Sequence, residues 1–168
     1  MSVADLVDVL QLDLLARLCL AVVLGGLIGL EREWAGKSAG LRTNILICLG
    51  SALFTEMSVS AAALANVTNE AQGLPFRADP ARIAANIVTG VGFLGGGAIL
   101  RGDGGVTGLT TAATIWVVAA VGLAIGAGAY IAAIGTTALV LFILFPLRRI
   151  ERFLARRLRH HRPHDSGE

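Results

Sequence analysis

An all-α fold, a polytopic membrane bundle of about five transmembrane helices, is predicted by three features of this 168-residue sequence. Hydrophobic residues make up 55% of it and charged residues only 15%, which leaves more apolar surface than one soluble domain can bury. The charges are unevenly spread, because long stretches contain none while the last twenty residues are dominated by arginine. The apolar runs are continuous, whereas a closed β-barrel would alternate with period two over segments of about ten residues.

Residues 1–13 read as an N-terminal periplasmic or interfacial segment. Val3, Leu6, Val7 and Leu10 recur at helical spacing with Asp5 and Asp8 opposite, the pattern of a short amphipathic helix lying at the interface. Asp5, Asp8 and Asp13 stand where a cleavable signal peptide would be basic, so the first span is expected to insert and stay.

Five apolar stretches follow within residues 14–147: Leu14 to Leu30, Leu41 to Leu64, Ala81 to Leu100, Gly108 to Ile125 and Gly128 to Leu147. Each approaches the roughly 20 residues that a spanning helix requires. Residues 148–168 form a basic tail. With that tail cytoplasmic, five spans place the N-terminus outside. Eleven basic residues then lie inside: Arg32, Lys37, Arg42, Arg101 and the seven arginines from Arg148 to Arg162. Only Arg17, Arg77 and Arg82 lie outside, which is the expected positive-inside bias. Trp34 and Tyr130 fall at predicted helix ends, where interfacial aromatics concentrate.

Small residues spaced by four occur at Gly25 and Gly29, Gly92 and Gly96, and Gly122 and Gly126. They allow close helix packing, within one chain first and in a homodimer as the alternative. GLIG (26–29) followed by GLRT (40–43) parallels GFLG (92–95) followed by GLTT (108–111), which would generate two helical hairpins of the same orientation.

Several chemistries are disfavoured. GVGFLG (90–95) matches a dinucleotide fingerprint in letters alone, because it lies in an apolar helix and not between a strand and a helix. Cys19 and Cys48 sit in apolar segments as small hydrophobes. His160, His161 and His164 belong to the tail. The net charge of +2, without interleaved aromatics, argues against nucleic acid and leaves the anionic inner leaflet as the partner of the basic residues. No enzyme motif is present, and no cofactor is expected beyond Mg2+ as a ligand or substrate.

The polar residues that remain are few. Glu31, Arg32, Glu33, Lys37 and Arg42 lie in the first predicted cytoplasmic loop, with Arg101 and Asp103 in the second. The carboxylates of Glu31, Glu33 and Asp103 form a candidate Mg2+ site, since that ion takes oxygen ligands and retains several waters; a salt-bridged loop pair is the alternative. Glu56 lies about fourteen residues beyond Arg42, roughly 21 Å along a helix. An ionisable group at that depth faces the bundle interior or a wet cavity and is a functional candidate by default. Asn44, Asn86 and Thr89 add polar atoms within the spans, and Asp79 with Arg82 opens the third; interhelical hydrogen bonding is their ordinary role.

Two stretches, GGLIGLEREWAGKSAGLRTNILICLGSALF (25–54) and DPARIAANIVTGVGFLGGGAILRGDGGVTGLTTAATIWVVAAVGLAIGAGAY (79–130), closely resemble the membrane domain of the MgtC/SapB family. The elements GLERE, GLRT, DPxRIAA, GxGFLGxG and GLTTAATxW occur in order. The resemblance implies a bacterial inner-membrane protein with five spans, an outside N-terminus and an inside C-terminus, linked to magnesium limitation. It also implies one of two activities: magnesium transport, or regulation of other membrane machines such as an ATPase. Glu31, Arg32, Glu33, Lys37, Arg42, Asp79, Arg82, Asn86 and Arg101 match its motifs, whereas Glu56 does not. The chain resembles the short, SapB-like form without a soluble C-terminal domain.

Three functions follow as expectations. The first is a non-enzymatic magnesium-homeostasis protein that contacts a partner through its cytoplasmic face. The second is an oligomeric cation transporter that gathers ions at Glu31, Glu33 and Asp103. An acid-resistance or structural factor is the third.

Overall fold

The computed structural model describes the backbone of residues 3–75, 77–102 and 105–159 and the side chains of residues 11–75, 77–102 and 105–145. Five helices carry the chain back and forth: α1 (Val3–Trp34), α2 (Leu41–Ala71), α3 (Ala81–Gly97), α4 (Leu109–Gly126) and α5 (Tyr130–Arg159). Between α3 and α4, strand β1 (Leu100–Gly102) pairs antiparallel with β2 (Gly105–Thr107), Arg101 opposite Val106. Three apolar stretches, Gln11–Trp34, Leu41–Ala71 and Leu109–Gly126, are long enough to cross a bilayer, and Tyr130–Phe145 is a shorter apolar helix.

The helix ends explain most departures from the predicted boundaries. The expected short N-terminal helix is continuous with the first span, since nothing between Val3 and Trp34 breaks an α-helix. α3 stops at Gly97, after three consecutive glycines, and Leu100 leaves the predicted span for the hairpin. The fifth helix runs through Arg159, so the first part of the basic tail extends the helix. The tail histidines and Asp103 lie outside the described residues.

Packing follows the small residues. A Cβ on Gly25 would lie 2.7 Å from Cys48 Cβ, and one on Gly29 would lie 2.8 Å from Leu41 Cα, so the C-terminal half of α1 sits directly on the start of α2. Farther along α2, a Cβ on Gly122 would strike the Cys48 carbonyl oxygen, and one on Gly126 that of Ala52. One stripe of α2, from Leu41 through Asn44 and Cys48 to Ala52 and Thr55, thereby carries the glycine face of α1 at its start and that of α4 beyond it. Ala21, Leu24, Ile28, Cys48, Ala52, Val118, Val121, Ile125 and Ala133 fill the core around it. Lipid tails are as apolar as these side chains, so close van der Waals contact supplies the association, and glycine permits it. Gly92 and Gly96 meet nothing within 4 Å; it is Gly95 that packs α3 on Ala112 of α4.

In GLRT (40–43) and GLTT (108–111) alike, the glycine stands immediately before a helix, Gly40 before α2 and Gly108 before α4. A Cβ on Gly108 would fall on the Ala98 carbonyl oxygen, which is backbone and fixed, whereas one on Gly40 would displace the Glu33 carboxylate from its bond to Leu41. Gly108 also needs its left-handed backbone, φ +87°.

Candidate functional site

Polar side chains collect at the two ends of this bundle. At the end where α1 turns into α2, Glu31 and Arg32 are both 2% exposed. They are paired, with Glu31 Oε2 accepting from Arg32 Nε and Nη2. Adjacent residues on a helix point about 100° apart, so this pairing draws both long side chains back along the buried face of α1. It neutralises two charges that would be expensive to bury alone.

Glu33 has a different task. It is exposed, and its Oε2 accepts the Leu41 backbone N–H at 2.9 Å. A helix start presents unsatisfied N–H groups and a partial positive charge, and a carboxylate meets both. Asn44, fully buried, completes the corner: its Nδ2 donates to the carbonyls of Ala39 at 3.0 Å and Gly40 at 2.7 Å. Asn44 therefore fixes the loop before α2 and does not bridge two helices. Its Oδ1 and Arg32 Nη1 are buried without hydrogen-bond partners among the described residues.

Lys37, Arg42 and Arg101 are exposed at the same end. The structure thus brings together Glu31, Arg32, Glu33, Lys37 and Arg42. Among the described residues, no three His, Cys, Asp or Glu side chains converge as a metal site. Asp79, Arg82 and Asn86 are exposed at the opposite end, on the way into α3 and in its first turns. Asp79 Oδ1 accepts from the Ala81 N–H at 2.8 Å and so serves the start of α3. Thr89 bonds within its own helix, to the Ala85 carbonyl at 3.1 Å, which a β-hydroxyl reaches without any second helix.

Glu56 also belongs to the second end, where it is held by a residue that sequence reasoning assigned only to the charge count. Arg17 Nη1 donates to Glu56 Oε2 at 2.6 Å, and Arg17 Nη2 pairs with Asp13 at 2.7 Å. The guanidinium lies 5.8 Å from the centroid of the Tyr130 ring, and Ser60 donates to Glu56 Oε1 at 3.1 Å. Arg17 thereby joins α1, α2 and α5. The signal that could have found it was the placement of both residues toward the same end of neighbouring spans, one positive and one negative.

Apolar spans, interior glycines and charges gathered at the two ends define a polytopic α-helical membrane protein. Residues 18–153 match the MgtC family, and the chain belongs to it. Among curated relatives, the "putative magnesium transporter YhiD" of Escherichia coli (strain K12) is 49% identical over 133 residues, covering 79% of this chain and 59% of the relative. The uncharacterized protein slr0014 of Synechocystis sp. is 42% identical over 154 residues, 92% of this chain and 58% of the relative. Protein MgtC of Salmonella typhimurium (strain LT2) is 40% identical over 132 residues, 79% of this chain and 51% of the relative. The alignments therefore span little more than half the length of these relatives. No solved structure matches significantly.

Proposed function

We propose that this chain is a non-enzymatic membrane protein of magnesium homeostasis that acts on another membrane protein, such as an ATPase, instead of carrying the ion itself. The magnesium link draws on the name of its E. coli relative. The observation that favours regulation over transport is the commitment of the candidate carboxylates among the described residues to partners within the chain. Glu31 is neutralised by Arg32, Glu33 is bonded to the start of α2, and Glu56 is held by Arg17 and Ser60. A transported divalent cation needs oxygen ligands that exchange readily, and each of these would first have to break a hydrogen bond.

The proposal places the chain in a bacterial inner membrane with its N-terminus outside. The end bearing Lys37, Arg42 and the basic tail then faces the cytoplasm, where anionic lipid and partner proteins meet it. A second copy of the chain is a further partner to test.

Mg2+ uptake into proteoliposomes, measured against protein-free vesicles and a Glu33→Gln variant, tests this reading. No uptake by folded protein is the expected result. Saturable uptake that Glu33→Gln abolishes would overturn the proposal in favour of a transporter.

A further inference from the structure

The start of α4 differs chemically from those of α2 and α3. Glu33 accepts from the first amide of α2, and Asp79 accepts from the first amide of α3. At α4, which follows Gly108, no side chain among the described residues accepts from the first-turn amides. Its first-turn N–H groups point out of the helix and carry the positive end of the dipole. They open into a cavity of about 460 Å3, bordered by Lys37 and Ser38 from the loop after α1, Thr107 from β2, and Thr110 and Thr111. A helix N-terminus joined by a lysine and several hydroxyls is an environment for an anion.

Thr111 gives an independent indication. It is 2% exposed and borders the cavity, yet its hydroxyl makes no hydrogen bond among the described residues. Thr114 and Thr137, by contrast, satisfy theirs on the carbonyl four residues earlier. A hydroxyl held in a buried residue at the edge of the cavity, and not engaged by the protein, is free to bond a ligand oxygen there.

The cavity adjoins a groove of about 420 Å3 between α2 and α3, with Ser38 and Ala98 lining both spaces. Leu46, Ile47, Leu94 and Ile115 line the groove, and Arg42 stands on it as well. A polar, cationic chamber at the helix ends therefore adjoins a mainly apolar groove that follows α2 as far as Ile47.

We propose that these two spaces form a site for one anionic phospholipid. The phosphate lies against Lys37, the Ser38 and Thr111 hydroxyls and the first amides of α4, and one acyl chain lies in the α2–α3 groove. Arg42 and Lys37 select an anionic headgroup over a zwitterionic one. Glu33, the acid of the same corner, is turned to Leu41 and held there. Free phosphate shares the headgroup chemistry but would make no use of the groove.

The test measures binding to the purified full-length chain in neutral detergent, by native mass spectrometry and by the shift in Tm. The probes are phosphatidylglycerol, phosphatidylcholine of the same acyl chains, and inorganic phosphate. Phosphatidylglycerol is expected to bind and raise Tm, phosphatidylcholine much less. Lys37→Gln should weaken phosphatidylglycerol binding roughly fivefold, the value of one basic residue beside an anionic lipid. Thr111→Val should weaken it too, while Thr43→Phe, which fills the groove, should weaken lipid binding without changing the response to phosphate. The lipid-free Tm of each variant shows whether it folds, and Arg77→Gln, at the other end of the bundle, is the control. Equal binding of the two lipids, or indifference to both Lys37→Gln and Thr111→Val, would overturn the site. An equal effect of inorganic phosphate, with Thr43→Phe silent, would overturn the lipid assignment.

Discussion

Alanine substituted at Gly122 and at Gly96 should move stability in opposite directions, although both positions lie in small-residue motifs within helices of the same bundle. A methyl group on Gly122 would strike the Cys48 carbonyl oxygen and lie 2.7 Å from Ser51 Cβ, so α4 must move away from α2 along their shared face. Overpacking of this kind costs about 1–3 kcal/mol. At Gly96 there is nothing within 4 Å, and the substitution adds only helix propensity, worth about 0.5–1 kcal/mol in favour of alanine. The two variants should therefore differ by about 1.5–4 kcal/mol, at least tenfold in the unfolding equilibrium. Reversible unfolding in mixed micelles, followed by circular dichroism, measures the difference. Equal destabilisation by both would refute the account, since it would mean that the exposed stripe of α3 is packed as tightly as the buried stripe of α4.

The buried ion pair and the carboxylate cap make separate predictions. Glu31→Leu or Arg32→Leu alone should cost about 3–5 kcal/mol, because each leaves one buried charge uncompensated, whereas the double substitution should cost less than the sum, with the coupling read from a double-mutant cycle in the same unfolding assay. Glu33→Gln retains an acceptor for the Leu41 N–H and should leave stability nearly unchanged, while Glu33→Ala should lose about 1 kcal/mol as a lost helix cap; a loss as large for Gln would show that the negative charge matters beyond the hydrogen bond.

What the sequence made legible was whatever depends on composition and period. Helical runs follow from continuous apolar stretches, and helix ends follow from Trp34, Tyr130 and the glycines that precede α2 and α4. The motif glycines also announced close packing, yet nothing in the sequence distinguished Gly122, pressed on α2, from Gly92, which faces open space. That distinction depends on which face each helix turns inward, and polarity does not set it in a bundle where Arg82, Asn86 and Thr89 of α3 face outward while Asn44, Ser51 and Thr55 of α2 are buried. The hairpin of β1 and β2 was hidden for a similar reason, because two three-residue strands are too short to show a period of two.

The candidate site was legible by residue type and obscure by role. Glu31 and Glu33 stand two apart and read alike as carboxylates, but a helix turns them about 200° from one another. One is buried beside Arg32, and the other reaches out to Leu41. Glu56 read as an isolated acid because its partner, Arg17, is 39 residues away on another helix. Thr111 gave no signal at all, since threonine in the first turn of a helix is ordinary and only the cavity beside it makes its hydroxyl informative. Charges in a membrane protein are few enough to be found by eye, but pairing decides which of them are spent on holding the bundle together and which are left to meet something else. By that criterion the acids at the turn into α2 belong to the scaffold, and Lys37 and Arg42, exposed at the same end, are left for the partner and the lipid that we propose.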